Sequence, residues 1–385
     1  MQVAPDTHGK PKRPKQKNIT LEERIRGWTD ASNVLLMPAI LIILFLSVFP
    51  LIVSLFASFA RIRFVPGGFE INYVGLANFK KIFFGSEQRR FLGRIEDPTI
   101  FGWVLFFAFL AFMLVMLLNH IRSERANPFS TMMRVITIII ATALAYLAVA
   151  TLTPESGLPG TLVVTLIFVF IGVTLQYLLG LGLAMMLTQN LPGKRIFRVM
   201  FLLPMMITPV GIGFLFRMIV DTQKGPFADI WYNIGLANFS FVATPWGART
   251  AIIIGDTWQW TPFMFIILLA ALEGIPREIF EAAMVDGANR LSMFRHIIMP
   301  QVIPVSTTVI LIRLIESFKI IDLPNVLTYG GPGTATESVS LHAYSLWRAL
   351  DLGTSAALAY ALLFVVTFIA LAFVNIIRRR LLELI

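Results

Sequence analysis

Eight apolar stretches dominate this chain, each close to or above the ~20 residues that a helix needs to cross a bilayer. They cover residues 31–60, 101–119, 135–152, 161–187, 200–220, 250–272, 301–321 and 354–377. Five of the eight hold no charged side chain. The other three hold Arg217, Asp256, and the trio Arg313, Glu316 and Lys319. Charged residues make up 14% of the chain, against about a quarter in a soluble domain. A water-soluble fold is therefore excluded, and the backbone polar groups must be satisfied within each helix. The expected fold is an all-α integral membrane bundle of eight transmembrane helices.

The chemistry open to such a bundle is narrow. Without cysteine there can be no disulfide, thiolate nucleophile, zinc–thiolate site or iron–sulfur cluster. His8, His120, His296 and His342 are scattered, so no metal site is expected. No nucleophile–base set stands out either, so no catalytic residue is expected and an enzyme is disfavoured.

The net charge of +10 points to membrane topology and not to nucleic acid, because the basic residues track the loops. With both termini in the cytoplasm, the inner segments (the N-terminal tail, 120–134, 190–198, 273–300 and 378–385) hold 19 Lys and Arg. The outer segments 61–100, 153–161, 222–249 and 322–352 hold 10. The positive-inside rule thus predicts N-in and C-in, although seven of the ten outer basic residues crowd into 61–100 and dissent. The first apolar run begins beyond residue 30 and lacks a small-residue cleavage site, so it reads as a span and not a signal peptide. Residues 1–33 read as a cytoplasmic basic tail followed by an interfacial helix, with Thr20 and Glu23 at capping-box spacing. Residues 34–60 form the first span, 61–100 an extracytoplasmic loop, 101–152 a hairpin of two spans, and 160–380 the remaining core. Gly172, Gly180 and Gly182 in the fourth span are expected to let neighbouring helices approach.

The segment between the sixth and seventh spans is the most informative. Pro276 suits the start of a helix, Gly287 its end, and a second helix over about 289–298 is expected to stop before Pro300. Phe280, Ala283 and Met284 would share one face of the first helix, and Phe294, Ile297 and Ile298 one face of the second. Helices this short are marginal alone in water, so they need a surface to pack against, either lipid or another protein.

The whole string, Glu281-Ala-Ala283 followed by Asp286-Gly-Ala288, Ile297 and Pro300, resembles the EAA loop of the permease subunits of ABC importers. Tyr73-Val-Gly-Leu-Ala-Asn-Phe79, Phe201-Leu-Leu-Pro204 with Pro209, Trp258-Gln-Trp-Thr-Pro-Phe263 and Gly330-Gly-Pro332 resemble landmarks of the carbohydrate-uptake branch of that superfamily. The resemblance covers roughly 34–84 and 160–380. It implies a six-helix permease core enlarged by the 101–152 hairpin. It also implies that Glu281, Ala282, Ala283, Asp286, Gly287 and Pro300 couple the chain to a separate ATPase. The partners implied are a second permease subunit, two ATPase subunits that bind the ATP and Mg, an extracytoplasmic solute-binding protein, and membrane lipid. The chain carries no Gly-x-x-x-x-Gly-Lys-Ser/Thr phosphate loop and hence no nucleotide cofactor of its own.

Substrate contacts are sought among costly intramembrane polar groups. Arg313, Glu316, Lys319 and Asp322 recur at three-residue steps, which suits ion pairs along one helix. Glu316 and Ser317, roughly 22 Å along the helix from Gln301, are alternatively the wall of a polar path. Gln259 and Trp260 sit roughly 15 Å from Arg249 and pair an amide with an aromatic face, as a sugar site requires. Ordinary core packing competes with each of these readings. An oligosaccharide, a glycoside, a polyol or glycerol phosphate fits equally well, and an ion-coupled transporter with broken helices is the remaining rival.

Overall fold

The structure is a computed structural model that describes residues 31–122, 128–189, 192–236 and 239–384. The expected basic tail and its capping box lie outside the described residues. Residues up to Phe56 form one compact unit and those from Ala57 onward a second. The first unit's described residues, from Ala31 on, are helical, and the apolar part of that helix is α1, Leu36–Ser58.

The second unit opens with a hairpin, β1 (Ala60–Val65) against β2 (Gly68–Tyr73), which pairs Ala60 with Tyr73. Two short helices follow, α2 (Ala77–Phe84) and α3 (Gln88–Phe91). Next come the long helices α4 (Ile100–Ile121) and α5 (Pro128–Leu152) of the expected extra hairpin. A two-residue strand, β3 (Gly93–Arg94), pairs with β4 (Leu158–Pro159) and ties the ends of that hairpin together. The central helices are α6 (Thr161–Leu187), α7 (Lys194–Met206), α8 (Pro209–Ile219) and α9 (Pro245–Glu273). The chain continues through α10 (Arg277–Val285), α11 (Arg290–Ser317), α12 (Val339–Arg348) and α13 (Leu352–Leu384).

Among the described residues, seven helices are long and apolar enough to cross a membrane, and the pair α7–α8 makes an eighth span if counted as one. That pair corrects the expectation of a straight fifth span over 200–220, because its two helices meet at 98°. The cause is local. Pro209 forces the residue before it out of the helical region, and Ile207 and Thr208 are both extended (ψ 140° and 144°). Thr208 then restarts the chain by capping the Gly211 N–H at 3.3 Å.

Lipid tails are as apolar as leucine, so helices in a bilayer associate through close packing and internal hydrogen bonds. α6 and α9 show this most clearly. Leu166, Val169 and Val173 join Met264, Phe265 and Leu268 in one buried cluster. At Gly180 an added Cβ would lie 2.6 Å from that of Met264 and 3.0 Å from the Phe265 backbone nitrogen. The glycine expectation holds there alone. Gly172 meets only side chains at ordinary distances, and Gly182 faces open space.

Connecting segments fall into two sets joined by ion pairs. Lys81 pairs with Asp351, and Arg90 with Glu337, so 61–100 and 322–352 share one side of the bundle. Lys194 and Arg198 both reach Glu273, at 2.9 and 2.8 Å, so the start of α7 and the end of α9 share a side. Three of the seven dissenting basic residues, Lys81, Arg90 and Arg94, are thus matched by carboxylates.

Candidate functional site

Two regions carry the expected functional residues: the segment from Glu273 to Pro300, and a cleft lined by α9 and α11.

α10 starts after Pro276 and ends in a left-handed turn at Gly287 (φ 78°). There the Gly287 and Ala288 N–H groups donate to the carbonyls of Met284 and Ala283 at 3.1 and 2.9 Å. This pair of hydrogen bonds closes a helix when glycine can adopt positive φ. Ala283 is buried and Phe280 packs on the core. Met284, expected on the same face, points outward, and Val285 beside it is 88% exposed. Glu281, Ala282, Asp286 and Gly287 are exposed as well. Pro300 is set apart from them within α11. The expected break before Pro300 is absent, because a π-helical turn over Phe294–Ile298 lets the Met299 N–H reach the Phe294 carbonyl. The hydrogen-bond ladder is thereby shifted around the donor that proline lacks. The expected second amphipathic helix is therefore the first part of the seventh span. It begins at Asn289, whose side chain caps Ser292 N–H at 2.8 Å.

The cleft has a volume of roughly 160 Å³. Gln259, Trp260, Glu316 and Ser317, all four residues singled out from the sequence, line it together with Pro209 at the α7–α8 elbow. Its floor is a closed network absent from the sequence reading. Arg313 donates from Nη2 to both oxygens of Asp256 at 2.9 and 2.8 Å, and from Nε to Gln176 Oε1 at 2.8 Å. Gln176 Nε2 returns a bond to Asp256 Oδ2 at 2.7 Å. The guanidinium also lies 4.6 Å from the centre of the Trp260 ring, a cation–π contact. Arg313 therefore pairs across helices and not with Glu316. Glu316 instead binds Lys319 at 2.8 Å, after α11 has ended at Ser317. The signal available in the sequence was a lone acid, Asp256, in one span and the charged trio Arg313, Glu316 and Lys319 in another.

Two buried atoms at the cleft lack a partner among the described residues: Gln259 Oε1 and Ser317 Oγ. Gln259 is 2% exposed and Ser317 1%. The Gln259 amide is oriented by its Nε2, which reaches the Ile207 carbonyl at 3.4 Å. An unmet buried acceptor is costly, and here both atoms belong to residues that line an accessible space.

Residues 176–383 match the family described as the binding-protein-dependent transport system inner membrane component. The match covers more than half of the chain. The chain belongs to this family. Its members are non-catalytic, multi-pass inner-membrane permeases of ABC transporters. The trehalose/maltose transport system permease protein MalF of Thermococcus litoralis is 35% identical over 196 residues, 51% of this chain and 66% of that protein. The trehalose transport system permease protein SugA of Mycobacterium tuberculosis is 28% identical, over 56% of this chain and 68% of its own length. The chain thus spans about two thirds of these relatives. In fold it is similar to a chain of a bacterial alginate ABC transporter crystallised with an alginate pentasaccharide-bound periplasmic protein. That likeness has a TM-score of 0.60 and 18% identity, and covers 94% of this chain and 97% of the other. The family match begins at Gln176, so the 101–152 hairpin lies outside it.

Proposed function

We propose that this chain is one permease subunit of an ATP-driven importer, lining the path of a sugar delivered by an extracytoplasmic binding protein. One observation carries the reading: α10 and its Gly287 turn project Glu281 and Val285 outward, while Phe280 and Ala283 anchor the same helix to the core. A short helix rooted in the bundle and exposed at its tip can pass a push from a partner into the spans. The sequence carries no phosphate loop of its own, so in this reading ATP and Mg belong to two partner ATPase subunits, and a second permease subunit completes the path.

Support for a sugar comes from the cleft, where Trp260 offers an aromatic face beside the Gln259 amide and Ser317 hydroxyl. Relatives named for trehalose and maltose transport support the same class. The orientation that fits the basic-residue count puts α10 in the cytoplasm, with N-in and C-in. Glu281→Lys is expected to leave the subunit in the membrane at wild-type abundance and to abolish ATP-dependent uptake. Unimpaired uptake by this variant would remove the reading. The α7–α8 elbow at the cleft is a broken helix of the kind ion-coupled carriers use. Uptake that persists without the ATPase and follows an ion gradient would favour that second reading.

A further inference from the structure

The cleft's charge and hydrogen-bond inventory says more about its ligand than that it is a sugar. Five of its lining residues are ionisable: Arg313 and Lys319 against Asp256, Glu316 and Asp322. The two cations are already matched within the chain, Arg313 by Asp256 and Lys319 by Glu316, each at 2.8 Å. Asp322 has no ion-pair partner among the described residues, which leaves a surplus of one negative charge. The unmet buried groups point the same way. With its amide nitrogen turned to the Ile207 carbonyl, Gln259 presents an oxygen that only accepts. Ser317 adds a hydroxyl that accepts or donates. The Arg313 guanidinium is held on one side by carboxylate and amide oxygens and on another by the Trp260 ring. A ligand anion would have to displace these to use it.

We propose that this cleft selects an uncharged, hydroxyl-rich ligand and rejects one that carries a carboxylate or phosphate. The proposal rests on the sugar reading and narrows it, since glycerol phosphate and uronic-acid oligomers fall outside it. Ligand hydroxyls donate to Gln259 Oε1 and to the Asp322 carboxylate, while a sugar C–H face lies on Trp260. A ligand carboxylate in the same place meets an unpaired like charge in a partly desolvated space, where such a contact disfavours binding by about tenfold or more.

The test uses the assembled importer in lipid nanodiscs, with a maltodextrin hydrolysate as the neutral pool and the same hydrolysate oxidised to uronates as the anionic pool. Binding is read as quenching of tryptophan fluorescence that is lost in Trp260→Phe. The expected result is that the neutral pool binds at least tenfold more tightly, and that Asp322→Asn narrows the gap severalfold. Equal or tighter binding of the oxidised pool, or a gap indifferent to Asp322→Asn, overturns the proposal and leaves the sugar reading in place. Failure of both pools to quench overturns the sugar reading itself.

Discussion

Arg313 and Asp256 are 3% and 5% exposed, and each is the other's main compensation. A buried ion pair is not in itself a large source of stability, but removal of one partner strands the other charge, at a cost of about 3–5 kcal/mol. Asp256→Asn is therefore expected to lower the thermal midpoint of the purified protein sharply. The double variant Asp256→Asn, Arg313→Gln should recover much of the loss, because it leaves hydrogen-bonding groups and no orphan charge. If the double variant proves worse than the sum of its parts, the charges themselves hold the floor together. Trp260 is a second readout of the same network, since removal of the guanidinium 4.6 Å from its ring should shift its emission.

At the level of helices, proline positions decide more than apolar runs do. Pro50 and Pro300 each stand two residues beyond a five-residue π-helical turn, Leu44–Val48 and Phe294–Ile298. In both, the residue before the proline donates to the first carbonyl of that turn. The wider ring absorbs the missing donor, so both helices run on through residues that ordinarily stop one. Pro262 and Pro304 stand within continuous helices without such a turn, whereas Pro209 breaks its span outright. Apolar length alone was thus enough to find the spans, though neither the bend in the fifth nor the start of the seventh at Arg290, and the extended residue that must precede Pro209 was readable. The ladder shift before Pro300 was not, because it depends on hydrogen bonds and not on residue type. Nor was the Arg313–Asp256 contact, which joins residues 57 positions apart on helices whose relative rotation no local pattern sets. The exposed edge of α10, by contrast, was legible in Glu281 and the Gly287 stop, although Met284 turned the other way. Helix contact makes its own prediction: Gly180→Val should force α6 from α9 and lower stability, while Gly182→Ala, with nothing within 4 Å, should be neutral. Equal melting midpoints for the two variants would show that the α6–α9 contact is loose.

Across the whole molecule, the two ends of the bundle differ in chemistry. On the side of α12, His342 is buried and donates from Nε2 to Glu87 at 3.1 Å. Burial, reinforced by the nearby Arg90 cation and opposed by Glu337 and Glu87, holds its pKa below the usual histidine value. Burial pushes Asp351 up, but bonds from Lys81 and Thr354 outweigh it and hold the carboxyl below its usual range. Both folded values lie below the unfolded ones, so both groups contribute stability at neutral pH that is lost on acidification. The loss begins below about pH 6.5 for His342 and below about pH 4 for Asp351. A melting midpoint that falls between pH 7 and 5, and a flatter profile in His342→Gln, are expected; identical profiles would exclude His342 as the source. Sidedness is open to direct measurement because the chain has no cysteine of its own. A membrane-impermeant maleimide should label Phe84→Cys in intact cells and Leu291→Cys only after permeabilisation. The reverse pattern would invert the proposed topology.

Gln259 holds the carbonyl of Ile207, at the right-angled elbow between α7 and α8, while its other amide atom is left unmatched at the cleft. One planar group thus joins the hinge to the cleft, and its sp² frame makes nitrogen and oxygen move together. A guest that pulls on the oxygen pulls on the nitrogen's contact with Ile207 as well. If loading the cleft moves that amide, it also acts on the joint, and by reciprocity whatever straightens the joint then alters the grip on the guest.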